Sequence, residues 1–150
     1  MLMQDQNQNI HAKEQVFSFP FGIPAFGDLV EWALSASPQI PFYTLRSVQE
    51  NDISFVLLDP KSLFPDYEPA LDKSDYSILH LNSSKDPRAR LFCITNIPPD
   101  GSLENTTVNL RAPLLFNTEK YCAAQCLGMN DRWEIRHSLM SIMQEDLSLC

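Results

Sequence analysis

The placement of proline limits what this chain can fold into more than any other feature. Eleven prolines stand against four glycines in 150 residues. They fall at positions 20, 24, 38, 41, 60, 65, 69, 87, 98, 99 and 113, each at the border of a short apolar run. Proline fixes φ and has no N–H, so it belongs neither inside a helix nor in the middle of a sheet ladder. Runs punctuated this often predict many short strands rather than long helices. A length of 150 residues and a hydrophobic share of 44% suit one domain with a real core. Barrel closure is the economical way to protect so many short edges.

The stretch from Ile53 to Pro69 organises the rest. Ile53, Phe55 and Leu57 alternate with Ser54, Val56 and Leu58. Both faces are mostly apolar, which predicts a strand buried on two sides. Asp59-Pro60 ends it. Leu63, Phe64 and Tyr67 then sit among Pro60, Pro65, Pro69, Asp66 and Glu68, a rigid acidic and aromatic loop without regular structure. Such a loop either caps a barrel end with its rings or holds a partner.

The other elements follow from alternation and breakers. Residues 1–15 are polar, poorly ordered or partly stranded, with a strand starting near Ile10. Val16 to Phe19 reads as a strand ended by Pro20, and Asp28 to Ala33 as a helical turn or the lead into a strand ending near Leu34. Phe42 to Val48 is a strand with one wet side. Asp72 is a helix N-cap with Asp75 three residues on, and the helix runs to about Leu81 with Tyr76 and Leu79 inward. Arg90 to Ile97, Thr106 to Arg111, Leu114 to Asn117 and Tyr121 to Leu127 are further strands. From Ser138 the spacing of Leu139, Ile142, Met143 and Leu147 is helical. The expectation is an all-β, mainly antiparallel, barrel-like domain over residues 16–137. It has seven to nine short strands and one to three short helices, and residues 138–150 follow as a tail.

Charge and chemistry narrow the function classes. Nineteen acids against eleven Lys and Arg leave a formal charge of −8, which repels nucleic acid and favours a basic protein partner; solubility alone also accounts for it. Four cysteines are too few for a disulfide scaffold. The N-terminus lacks a signal-peptide pattern, and no apolar run is long enough to cross a bilayer. These features predict a cytoplasmic protein without direct nucleic-acid or membrane binding. There is no Gly-rich phosphate loop. His11, His80 and His137 are scattered, read as surface or packing residues. Cys122 and Cys126 lack zinc-knuckle spacing, and Cys93 lies in an apolar strand where burial makes a thiol inert. Asp66, Glu68, Asp72 and Asp75 lack the order of a calcium loop. No catalytic residue, metal site or cofactor is expected.

Four stretches carry a resemblance. They are Phe19-Pro-Phe-Gly-Ile-Pro-Ala-Phe26, Phe55-Val-Leu-Leu-Asp-Pro60 with Leu63-Phe-Pro-Asp-Tyr-Glu-Pro69, Thr107-Val-Asn-Leu-Arg-Ala-Pro-Leu-Leu-Phe-Asn117, and Trp133-Glu-Ile-Arg-His137. In this order, over about residues 16–139, they resemble the flagellar assembly factor FliW family. The family often has glycine where this chain has Ala25, so that position must tolerate a Cβ. The resemblance implies a compact antiparallel β-barrel-like fold and a non-enzymatic role in the cytoplasm. Such proteins bind flagellin and the translational repressor CsrA, antagonising CsrA allosterically so that the flagellin message is translated.

Residue type, not family contacts, picks the candidate partner-binding residues. Leu63, Phe64 and Tyr67 are candidate apolar anchors for the amphipathic segments of flagellin. Asp66, Glu68 and Asp72 are candidates for the basic repressor. Asn109 and Arg111 belong to the third motif, either as outward-facing contacts or as a structural hydrogen-bond network at a strand end. The alternative function is a small β-barrel enzyme or ligand carrier. It requires an interior pocket with convergent polar groups, whereas a binding protein requires a packed interior and an outer patch.

Overall fold

The computed structural model describes residues 14–140. In chain order its elements are β1 (Gln15–Ser18), β2 (Glu31–Ala36), β3 (Phe42–Ser47), β4 (Ser54–Leu58), α1 (Pro60–Leu63), α2 (Lys73–Ser77) and β5 (Ala89–Asn96). A 3-10 turn (Leu103–Asn105), β6 (Thr107–Val108), β7 (Leu114–Asn117), β8 (Cys122–Gln125) and β9 (His137–Ser138) follow. Seven strands close a ring in the order β4-β3-β2-β1-β8-β7-β5, with β5 returning to β4. Beyond β7's end, β6 pairs with β5, and β9 pairs with β6. The fold is thus the expected barrel of short strands, mixed rather than wholly antiparallel, because β1 and β8 run parallel.

The parallel junction is brief. It consists of one register pair, Ser18↔Cys122, with Ser18 N–H donating to Tyr121 O at 2.9 Å. The next donor along a parallel ladder would come from residue 20, and Pro20 has none.

Alternation along the strands sends one set of side chains inward. Phe17, Phe19, Trp32, Leu45, Leu57, Phe92, Leu114 and Phe116 are fully buried in one cluster that fills the barrel. Phe116 stands at its centre, edge-on to Phe17 (4.9 Å), Phe92 (5.1 Å) and Phe19 (5.6 Å). Edge-to-face pairs of this kind add about 0.5–1.5 kcal/mol each beyond the area they bury.

The outer face carries two further clusters. Tyr76, Leu79 and Leu81, on and just after α2, cover Leu115, Ala124 and Cys126. Phe64 and Tyr67, with Trp133 and Leu139, cover Leu58, Cys93, Val108 and Leu110. β4 is therefore apolar on both faces for the expected reason: Leu57 enters the barrel and Leu58 the outer layer.

Several local expectations are corrected. The stretch after Asp59-Pro60 is not wholly irregular. Asp59 accepts from Lys61 N–H and Pro60 occupies the first turn of α1, where a missing N–H costs nothing. The helix from Asp72 ends at Ser77, short of Leu81, and His80 turns the chain at φ +61°. Of the two readings of residues 28–33 the strand holds: residues 28–30 are not helical and lead into Glu31–Ala36. Only Thr107 and Val108 of the 106–111 stretch pair as strand, although Val108 and Leu110 are buried, in the outer layer beneath the loop. β9 was not expected; it carries the barrel one residue into the supposed tail. The strand near Ile10 and most of the C-terminal helix lie outside the described residues.

Ala25 is where this chain departs from a glycine. Phe26 N–H donates to Ile23 O at 2.7 Å across a turn with Pro24 and Ala25 at its centre. Ala25 has φ +76°, the third-position geometry of a type II turn, which glycine adopts without strain. Ala25→Gly is expected to stabilise the protein by about 0.5–1 kcal/mol, read as a higher urea midpoint with an unchanged slope.

Candidate functional site

The proline-rich loop of residues 59–72 is bolted to the segment of residues 128–139. Trp133 is the bolt. Its ring lies 5.2 Å from Phe64 and 5.0 Å from Tyr67, and its Nε1–H donates to Glu68 O at 2.9 Å. The same carbonyl accepts from Asn130 Nδ2 at 2.8 Å. Backbone donors complete the seam, Met129 N–H to Ala70 O and Asn130 N–H to Pro69 O, both at 3.1 Å.

Tyr67 shows why the loop faces inward. Its hydroxyl donates to Leu110 O at 2.6 Å and accepts from the Cys93 thiol at 3.7 Å. Burial raises the pKa of this hydroxyl far above the ordinary tyrosine value and pushes that of the Cys93 thiol up to about 12. Both groups stay neutral, as packing demands. Cys126 is likewise pushed up to about 12, mainly by burial.

The expectation that Phe64 and Tyr67 stand out as apolar anchors is corrected. They are 7% and 3% exposed because their rings have Trp133 and the outer face of β5 to cover. Leu63 is half-buried against the same cluster. The loop caps; its acids face solvent.

Those acids are unequal. Asp66 pairs with Arg132 at 2.6 Å, and that guanidinium, 4.4 Å from the Trp133 ring centroid, holds the Asp66 carboxyl below its ordinary value. Glu68 Oε1 accepts from Ala70 N–H, and Asp72 accepts from Ser74 Oγ. Both remain exposed. Asp131 and Glu134, whose side chains are 88% and 68% exposed, add charge on the facing segment. Sequence reading did not pick these two. The motif Trp133-Glu-Ile-Arg-His137 marked the stretch, but nothing in it shows that residues 66–70 lie alongside.

Asn109 and Arg111 are half-buried and held by local polar contacts. Asn109 Oδ1 accepts from Ala112 N–H at 2.9 Å. Arg111 Nε donates to Gly128 O at 3.2 Å, and its guanidinium pairs with Asp131 at 2.9 Å. His137 packs on Phe64 with ring centroids 6.0 Å apart, and His80 is exposed. Among the described residues, no group of three or more His, Cys, Asp or Glu is placed to hold a metal ion. No helix among them is long and apolar enough to cross a membrane.

A second surface is apolar. Phe21, at the tip of a turn closed by Gly22 N–H to Phe19 O, and Leu127, just after β8, are 63% and 60% exposed. Both line one open cleft with Pro24, Ala112 and Ala124.

Comparison with known proteins places this geometry. The family model described as "FliW protein" matches residues 4–139. The chain is 36% identical over 135 residues to the flagellar assembly factor FliW of Caldicellulosiruptor bescii, covering 90% of this chain and 86% of the relative. It is 34% identical to that of Thermotoga maritima, covering 84% and 83%. With that of Treponema pallidum it shares 33%, covering 87% and 85%. A crystal structure of the flagellar assembly factor FliW superposes with a TM-score of 0.71 at 31% identity, covering 83% of this chain and 84% of that one.

Gly128 sets how closely the two segments approach. Its N–H donates to Arg111 O at 2.7 Å. A Cβ here would lie 2.5 Å from Pro69 O and 2.8 Å from Arg111 O, both backbone atoms. Gly128→Ala is therefore expected to force the segments apart and destabilise the protein by roughly 1–3 kcal/mol, measured by urea denaturation.

Proposed function

Since this chain belongs to the FliW family, we propose that it is a flagellar assembly factor that acts in the cytoplasm, without catalysis, by binding flagellin and the translational repressor CsrA. Binding the repressor allosterically frees the flagellin message, and flagellin, when it accumulates, takes this protein away. The observation that carries the reading is the match over residues 4–139, which takes in the barrel and both halves of the bolted loop.

The physical chemistry supports it. A formal charge of −8 attracts a basic, RNA-binding protein over long range and disfavours RNA nearby. Glu68, Asp72, Asp131 and Glu134 are exposed acids on or beside the loop, and Asp66 contributes less because Arg132 already balances it. A rigid backbone under these carboxylates lowers the entropy lost on contact. For flagellin, whose terminal segments form amphipathic helices when assembled, the cleft between Phe21 and Leu127 replaces the buried Phe64 and Tyr67 as the apolar receptor, with Leu63 at the loop surface as a further contact. Asn109 and Arg111 serve by holding the segment that carries Asp131. Nothing favours an enzyme or carrier with an interior pocket, as the barrel is filled by rings.

The test is a salt titration of binding to the purified repressor. The Glu68→Lys and Asp72→Lys double variant is expected to bind at least tenfold more weakly, with a shallower dependence on ionic strength. Unchanged affinity in a folded variant removes this patch from the repressor interface. Co-purification with flagellin, lost in Phe21→Asp, tests the second surface separately.

A further inference from the structure

The proline-rich loop covers only part of the outer face of β4 and β5. Leu58 and Cys93, partners in the β4–β5 register, lie beneath it. Two residues along, Val56 pairs with Thr95. Alternation puts both on the outer face, since Leu57 and Ile94 pack into the barrel. Val56 and Thr95 line an open groove of about 230 Å³. The turn between β2 and β3 adds Ser37 and Gln39 to its lining, and the 3-10 turn adds Leu103. Among the described residues, none that lines the groove is charged.

The hydroxyls around this groove are not all engaged. Thr106 Oγ1 donates to Ser102 O at 2.8 Å, Ser37 Oγ accepts from Gln39 N–H at 3.2 Å, and Tyr43 Oη accepts from Arg90 at 3.3 Å. Thr95 differs. It is 5% exposed, and its Oγ1 is buried without a hydrogen-bond partner among the described residues. Buried polar groups are nearly always paired, because an unpaired one has given up water and gained nothing in return. Valine has the shape of threonine without that cost, and valine is what stands opposite, at position 56.

We propose that this groove binds a small uncharged molecule with a ring-sized apolar body and one hydrogen-bonding group, which Thr95 Oγ1 meets. The size fits: an apolar cavity of about 150 Å³ holds benzene, so a groove of about 230 Å³ takes a ring with a substituent. The uncharged lining selects against ions, which lose hydration there without gaining a counter-charge. A hydroxyl both donates and accepts, so a phenol, an alcohol or an amide satisfies it. The body of the molecule lies against Val56, Ile97 and Leu103. The last two are 49% and 53% exposed, and covering them adds apolar burial. The proposal stands on the groove alone and is independent of which proteins bind elsewhere.

Methyl NMR titration of the full chain tests it with p-cresol, with toluene, which lacks the hydroxyl, and with para-hydroxybenzoate, which adds a charge. p-Cresol is expected to shift the methyl signals of Val56, Ile97 and Leu103 saturably, while those of Leu45 and Leu114 inside the barrel stay in place. Toluene is expected to bind about fivefold more weakly, and para-hydroxybenzoate roughly tenfold more weakly or worse. Thr95→Val keeps the shape and removes the hydroxyl. This variant is expected to unfold at an equal or higher urea concentration and to bind p-cresol no better than toluene. Absence of a saturable p-cresol shift overturns the proposal. So does a preference for p-cresol over toluene that survives in Thr95→Val, or binding of para-hydroxybenzoate as tight as that of p-cresol. A lower urea midpoint in Thr95→Val overturns it too, since the hydroxyl then already has a partner within the protein.

Discussion

The return of β5 to β4 is the constraint from which the other features hang. Its register pairs, Val56↔Thr95, Leu57↔Ile94 and Leu58↔Cys93, join strands separated by the proline-rich loop and α2. Each successive rung places one side chain inside and the next outside. Leu57 thereby joins the ring-filled interior, and Leu58 and Cys93 form the floor on which the loop rests. If this pairing slipped by one residue, both layers would exchange faces at once.

Above that floor, rigidity comes from a division of labour between apolar and polar atoms. The rings of Phe64, Tyr67 and Trp133 exclude water, and every inward polar atom of the aromatic trio is answered by a carbonyl. Tyr67 Oη reaches Leu110 O, and Trp133 Nε1 reaches Glu68 O. The carboxylates of the loop are left on the solvent side of a backbone that is held from beneath. A surface built this way presents charge without having to order itself first.

Much of the barrel was legible because alternation is a local signal. Phe55 to Leu58, Leu114 to Phe116 and Leu91 to Ile94 are apolar throughout, and breakers bound them closely. Other features needed tertiary information. The loop after Asp59 looked irregular from its prolines, yet Pro60 at a first turn favours α1. The inward choice of Phe64 and Tyr67 depends on Trp133, 66 or more residues away, finding the same floor. β9 is two residues long and exists only because β6 has an edge to offer. Asn109 and Arg111 stood out as polar residues in a strong motif, but their partners, Ala112, Gly128 and Asp131, became visible only with the turn they brace.

The meeting of β1 and β8 has a consequence of its own. Elsewhere around the ring, neighbouring strands share three to five register pairs, but here they share one, and Pro20 ensures that no longer zipper can form. Breathing of the cylinder is therefore cheapest at this line, where parting two strands sacrifices the fewest backbone bonds. Phe21 and Leu127 follow the two strands at its far end, so the shortest join in the wall sits beside two exposed apolar side chains.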